Sequence, residues 1–235
     1  IRYITGDFKD IGIKEYVSRK ATHNYHVNEF MAVDGVSFTL ERGDMLGIVG
    51  TNGAGKSTLL KAVAGIMEPT KGKITANGEV AALLELGSGF DGDLTVKENA
   101  YLRGAMLGYT KEFMNETYDH IIDFAELREF ENRPFKQLSS GMKSRLGFSI
   151  ATVVEPKILI LDDSSSALDY ETDARLRKAI NTHFADTAKV IVAQRVSSIM
   201  HADEILVLDQ GKIVARGTHD ELMQTSEIYS SISDS

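Results

Sequence analysis

Residues 45 to 64 read Met-Leu-Gly-Ile-Val-Gly-Thr-Asn-Gly-Ala-Gly-Lys-Ser-Thr-Leu-Leu-Lys-Ala-Val-Ala. The middle of this stretch fills the spacing G-x-x-x-x-G-K-S/T with Gly50, Gly55, Lys56 and Ser57. An apolar run, Met45 to Val49, precedes it and predicts a buried strand. A run with helical character, Ser57 to Ala64, follows. Strand, glycine loop and helix in that order form a P-loop. The glycines let successive backbone N–H groups turn into one concavity that holds phosphate oxygens. The start of the helix adds a partial positive charge at the same place. Gly50, Asn52, Gly53, Ala54, Gly55, Lys56, Ser57 and Thr58 are therefore the expected nucleotide-binding residues. Lys56 is expected on the β- and γ-phosphates, and Ser57 on Mg²⁺. The chain is expected to bind a nucleoside triphosphate.

Outward from the loop, strand and helix signals alternate. Lys157 to Leu161 is a short apolar run that ends on Asp162, and it predicts a buried parallel strand. Lys189 to Ala193 and Glu204 to Leu208 repeat that pattern. Asp209-Gln210-Gly211-Lys212 predicts a hairpin turn, and Thr218 to Glu221 a capping box that opens a last helix. Thr95 to Phe130 carries a helical period, and Ser139 opens another helix. Ala32 to Leu40 alternates like a half-buried strand. Lys73 to Leu86 reads as strand broken by a hairpin at Asn77-Gly78. The fold class is α/β, a P-loop NTPase with a mainly parallel sheet and flanking helices. Residues 1–24 read as an N-terminal helix or arm, and 25–235 as the ATPase domain, with its helical part at about 95–150.

The bulk numbers narrow the function. A net charge of −8 lacks the basic footprint of a nucleic-acid binder, so no nucleic-acid partner is expected. There is no cysteine, so disulfide and thiol chemistry are excluded. Six histidines lie scattered without metal-ligand spacing. No apolar run reaches the roughly 20 residues that span a bilayer. Lys143 and Arg145 read as a solvated helix face.

Two further motifs sharpen the reading. Asp162 closes its strand where P-loop proteins hold Mg²⁺. Leu138-Ser139-Ser140-Gly141-Met142 is a polar turn that opens a helix. P-loop, Leu-Ser-x-Gly turn and Asp strand at this spacing resemble the ATP-binding cassette (ABC) family over roughly residues 20 to 225. The resemblance implies an antiparallel β subdomain and a helical signature subdomain beside the parallel sheet, and Mg-dependent ATP hydrolysis by two cassettes that close head to tail. Ser139, Ser140 and Gly141 of one cassette would then face the γ-phosphate held by the other. Asp169, in Ser166-Ala167-Leu168-Asp169, resembles the residue that links the two sites. Tyr25, with Phe30 as the alternative, is the candidate to stack on adenine; core packing is the other reading for both.

Three positions depart from the family pattern. Asp163 stands where the family has a catalytic Glu. Gln194 stands at the usual His that contacts the γ-phosphate. No Gln occurs in Leu83 to Phe90, where Glu85 is the nearest substitute. Asp163, Gln194 and Lys56 are the expected catalytic residues, and Ser57 and Asp162 the expected metal ligands. Residues 25 to about 150 resemble polysaccharide and teichoic-acid exporter ATPases. Those from about 155 resemble multidrug-type exporter cassettes, so the sequence reads either as a chimera with a seam at 151–157 or as an ordinary divergent cassette. The resemblance implies an exporter ATPase with a transmembrane permease partner, peripheral on the cytoplasmic face of a bacterial membrane. The alternative is a degenerate regulatory subunit of low turnover beside an intact cassette.

Overall fold

A computed structural model describes residues 1–5, 28–84, 89–162, 180 and 182–233. Its frame is a six-stranded sheet with the order β4 (Val80–Leu83), β5 (Ile158–Asp162), β6 (Ala188–Val192), β3 (Met45–Gly50), β7 (Glu204–Asp209) and β8 (Lys212–Gly217). All neighbours are parallel except β7 and β8, which form the hairpin expected at Asp209 to Lys212. Gln210 and Gly211 both take the left-handed conformation that a two-residue turn of this type requires. A separate ribbon pairs β1 (Arg2–Thr5) antiparallel with β2 (Asn28–Met31). The described start of the chain is thus strand rather than helix.

The parallel strands are apolar on both faces because both faces are covered. Along β7, Ile205 and Val207 join one cluster while Leu206 and Leu208 join another. The first cluster takes in Phe148, Phe184 and Tyr229, and the second takes in Leu60 of helix α1 (Lys56–Val63). Each wholly buried Leu or Ile adds about 1.5–3 kcal/mol. Helices α2 (Val96–Met106), α3 (Lys111–Phe124) and α4 (Ser140–Thr152) enclose a third cluster of their own, with Val96, Met114, Ile121, Ile122, Leu146 and Ile150 at its centre. Two short helices, α5 (His219–Thr225) and α6 (Glu227–Ser233), follow β8. The capping box predicted for α5 is present: the Thr218 N–H donates to Glu221 Oε2 at 2.8 Å.

Four local expectations change. Val33, Val36, Phe38 and Leu40 do point inward onto the α1-side cluster, but residues 32–40 belong to no ladder among the described residues. Alternation there reports burial, not pairing. Asn77-Gly78 makes no hairpin; Gly78, at φ +139°, leads into β4, which pairs parallel to β5. The span from Thr95 to Phe130 is interrupted, with Gly108 at φ +87° ending the α2 segment and Thr110 capping α3. Arg145 is not a solvated charge: its side chain is 23% exposed and pairs with Glu126. Lys143 lies over the Phe135 ring at 5.5 Å.

Candidate nucleotide site

The C-terminal ends of β5, β6 and β3 lie side by side. Val192 is in register with Ile48 on one side and with Asp162 on the other. Because β6 separates β3 from β5, the segment leaving β6 emerges between the glycine loop and Asp162. The Ala193 N–H donates to Ile48 O at 3.0 Å, and exposed Gln194 comes next. Local sequence could not place Gln194 here, since the placement depends on a sheet order set by distant pairings.

The glycine loop is shaped by close backbone approach. Gly50 pairs with Leu208, and a Cβ added to Gly50 would lie 2.1 Å from the Leu208 carbonyl oxygen. Thr51 to Ala54 closes as a turn, with Ala54 N–H to Thr51 O at 3.1 Å. Asn52 and Gly53 are exposed at its tip, and Ala54 is buried beneath. Gly55 starts α1 at φ +99° with no side-chain cap. A Cβ on Gly55 would lie 2.2 Å from Ala32 O, so only glycine fits. The uncapped start leaves the first helical N–H groups to whatever sits in the loop. An anion suits them.

Lys56 is buried, and its ammonium donates to Gly50 O at 2.7 Å and Thr51 O at 3.0 Å. Burial pushes its pKa below the ordinary lysine value, and the Asp162 carboxylate opposes that shift. Asp162 is therefore within electrostatic reach of the loop. It is half-buried at the end of β5, while Ser57 is exposed and Thr58 half-buried on the first turn of α1. A carboxylate and a hydroxyl beside a phosphate loop are oxygen donors of the hard kind that Mg²⁺ accepts.

The Leu-Ser-x-Gly turn is built differently and stands on the helical cluster. Ser139 caps α4, its Oγ accepting from Met142 N at 3.2 Å. Ser139 and Ser140 are exposed and Gly141 is buried. The approach to this turn is strapped to residues 91–97. Phe135 N donates to Leu94 O at 2.8 Å, Lys136 N to Gly92 O at 3.0 Å, and Val96 N to Arg133 O at 3.0 Å. Wholly buried Asn99 fastens the same loop, accepting from Asp91 N at 2.7 Å and donating to Asp91 O at 2.8 Å and Thr95 O at 3.0 Å. Sequence reading missed Asn99; its only local signal was a polar residue on the inward face of α2.

The structure thus brings the glycine loop, Asp162 and Gln194 to one sheet edge and carries Ser139 to Gly141 on a separate cluster. Tyr25, Glu85, Asp163 and Asp169 lie outside the described residues. Phe30 is on β2 with 58% of its surface exposed, so it is not a core residue.

A phosphate-binding loop between a parallel sheet and a helix start, with an acidic residue closing a strand one position removed, defines a P-loop NTPase. The family model described as ABC transporter matches residues 33–166. The chain belongs to the ABC transporter family and is an ATP-binding ATPase of that type. It is 42% identical over 171 residues to the O-antigen export system ATP-binding protein RfbB of Klebsiella pneumoniae, covering 72% of this chain and 70% of that one. It is 42% identical to the teichoic acids export ATP-binding protein TagH of Bacillus cereus, over 68% of this chain and 29% of the relative. A second TagH, from Levilactobacillus brevis, is 37% identical over 207 residues, 87% of this chain. The family match runs through residues 151–157, and the chimera reading is not confirmed. Among solved structures, an ATP-binding subunit of an ABC transporter superposes with a TM-score of 0.71 at 23% identity, covering 86% of this chain and 92% of that one. The expected P-loop fold, with a mainly parallel sheet and flanking helices, is met.

Proposed function

We propose that this chain is the ATP-hydrolysing subunit of an exporter for a cell-surface polysaccharide or teichoic acid. The single observation that carries the reading is the placement of Lys56, held over the glycine loop, within electrostatic reach of Asp162. The substrate class rests on the names of the RfbB and TagH relatives, which also favour a motor over a regulatory subunit.

In this reading the loop N–H groups from Gly53 to Thr58 cradle the β-phosphate, and the Lys56 ammonium moves from its loop carbonyls onto the γ-phosphate. Ser57 and Asp162 would hold Mg²⁺, which would supply charge neutralisation to the triphosphate. Asp163 orients the attacking water, and Gln194 donates to the γ-phosphate. An Asp in place of Glu draws the carboxylate back by one methylene, a misplacement that slows hydrolysis by up to about 10²-fold. Tyr25 stacks on the adenine. A second cassette supplies Ser139, Ser140 and Gly141 across the interface, and Asp169 connects the two sites. A transmembrane permease receives the closing motion at the membrane's cytoplasmic face. No helix among the described residues is long and apolar enough to cross a membrane.

The test is phosphate release with Mg-ATP across a range of protein concentration. Release should rise faster than linearly with concentration, vanish in Lys56→Ala and increase in Asp163→Glu. Bound ATP without release in any of these forms would overturn the motor reading.

A further inference from the structure

The β7–β8 turn lies directly behind the glycine loop and touches both of its ends. The Thr51 hydroxyl, at the start of the loop, donates to Asp209 Oδ1 at 3.4 Å. The Ala54 carbonyl, near its end, accepts from Gly211 N at 3.0 Å. The turn is itself held from the far side. Gly211 O accepts from Asp34 N at 2.7 Å, and Lys212 Nζ lies 3.8 Å from Asp34 Oδ2. One oxygen, Ala32 O, fills the space a Cβ would take on two glycines at once, 2.2 Å from the Gly55 position and 2.8 Å from that of Gly211. Gly211 is at φ +78°, where a side chain is strained in any case.

The contact has a mechanical consequence. Thr51 O is one of the two carbonyls that hold the Lys56 ammonium, and Ala54 N closes the loop onto that same Thr51 O. Fixing the Thr51 side chain therefore fixes the carbonyl from which Lys56 and the loop take their geometry. A surface hairpin would be free to vary at Asp209; a brace under a phosphate cradle would not.

We infer that Asp209 and Gly211 are positioning residues for ATP binding: they brace the glycine loop at Thr51 and Ala54 and so preset its N–H groups. The inference rests on the reading of that loop as the triphosphate site. Neither residue touches the nucleotide. The effect of Asp209 belongs in ATP affinity rather than in the stability of the fold, because Thr51 is exposed and Asp209 only half-buried.

The experiment is calorimetric titration of the full chain with Mg-ATP, beside its melting temperature. The variants are Thr51→Val, Asp209→Ala, the two combined, Asp209→Asn and Lys56→Ala. Each single change at Thr51 or Asp209 should weaken binding about fivefold, the ordinary worth of one hydrogen bond. The double variant should be no weaker than either single one, since both remove the same contact. Asp209→Asn, which keeps an accepting oxygen, should bind nearly as tightly as the parent chain. A parent-like Kd in Asp209→Ala, or losses that multiply in the double variant, would overturn the inference alone. So would an Asp209→Ala loss that tracks a fallen melting temperature and is not restored by Asn. A parent chain that takes up no Mg-ATP, or takes it up equally well with Lys56→Ala, would overturn the triphosphate reading and this inference with it.

Discussion

Two helices of this molecule begin at places where a phosphate is expected, and they begin in opposite ways. Helix α1 starts at Gly55 with no side-chain cap, its backbone pressed against the Ala32 carbonyl. Helix α4 starts at Ser139, whose own oxygen accepts from Met142 N. The first start keeps its N–H groups for a ligand and is shaped by backbone contacts that only glycine permits. The second has already satisfied one N–H internally, and what it offers outward is hydroxyl and helix dipole. The surroundings follow the same division. The glycine loop is fixed by carbonyls from β7 and from residues 32–34. The helical part adds side chains to its backbone straps: Asn99 under its entry loop, and the Thr95–Glu98 capping box at the start of α2. A site shaped by backbone contact at glycine tolerates little change in shape, whereas one that leans also on side chains gives way one hydrogen bond at a time.

Substitution tests this division, and the largest effect is expected at Lys56. Lys56→Ala should lower ATP turnover by about 10²–10³-fold, the cost of losing one preorganised charge stabiliser; phosphate release measures it. Next comes Gly55→Ala, which places a Cβ 2.2 Å from Ala32 O at φ +99°. It should cost about 2–4 kcal/mol in urea unfolding. An unfolding midpoint like that of the parent would break the claim that backbone contact shapes the loop. Ser139→Ala should cost about 1 kcal/mol, the worth of an N-cap, with Ser139→Asp restoring stability. Activity lost in both variants but stability lost only in Ala would separate the outward hydroxyl from the cap.

The smallest effect is one of pH. Hydrogen bonds from the Thr95 backbone and hydroxyl hold the Glu98 pKa below the usual carboxylate range. A folded pKa below the unfolded one gives stability that is complete above the unfolded value and is lost as pH falls through the folded value. The loss therefore begins below about pH 4.3, the ordinary Glu value. Melting temperature followed through that range should fall less steeply in Glu98→Gln. Identical profiles would show that this box adds nothing to α2 in solution.

Much of this could be read from the chain because it depends on neighbours in sequence. The glycine loop, the cap at Ser139, the Asp209 to Lys212 turn and the box at Thr218 each carry their own local signals, and the structure has all four. What could not be read depends on which distant backbones meet. Val36, Phe38 and Leu40 alternate as a strand would, yet residues 32–40 are held by packing and by single hydrogen bonds such as Asp34 N to Gly211 O. Asn77-Gly78 has the composition of a hairpin, but the strand after it finds its partner at Ile158 to Leu161. The site shows the same limit. Gly211 announced a turn; nothing near it in sequence announced the loop of residues 51–54. The break at Gly108 and Thr110 did have a local signal, a glycine followed by a capping residue, which the helical period obscured.

The placement of β3 between β6 and β7 also bears on how the protein is made. The glycine loop leaves the ribosome before its supports at Leu208 and Gly211, which follow roughly 160 residues later. At about 5–20 residues per second, that is an interval of roughly 8 to 30 s. During it the nascent chain carries a phosphate-binding sequence without the strands that give it shape. Nucleotide capture is therefore deferred until β7 and β8 have been made, and a chain truncated before β7 carries the motif but not the cradle.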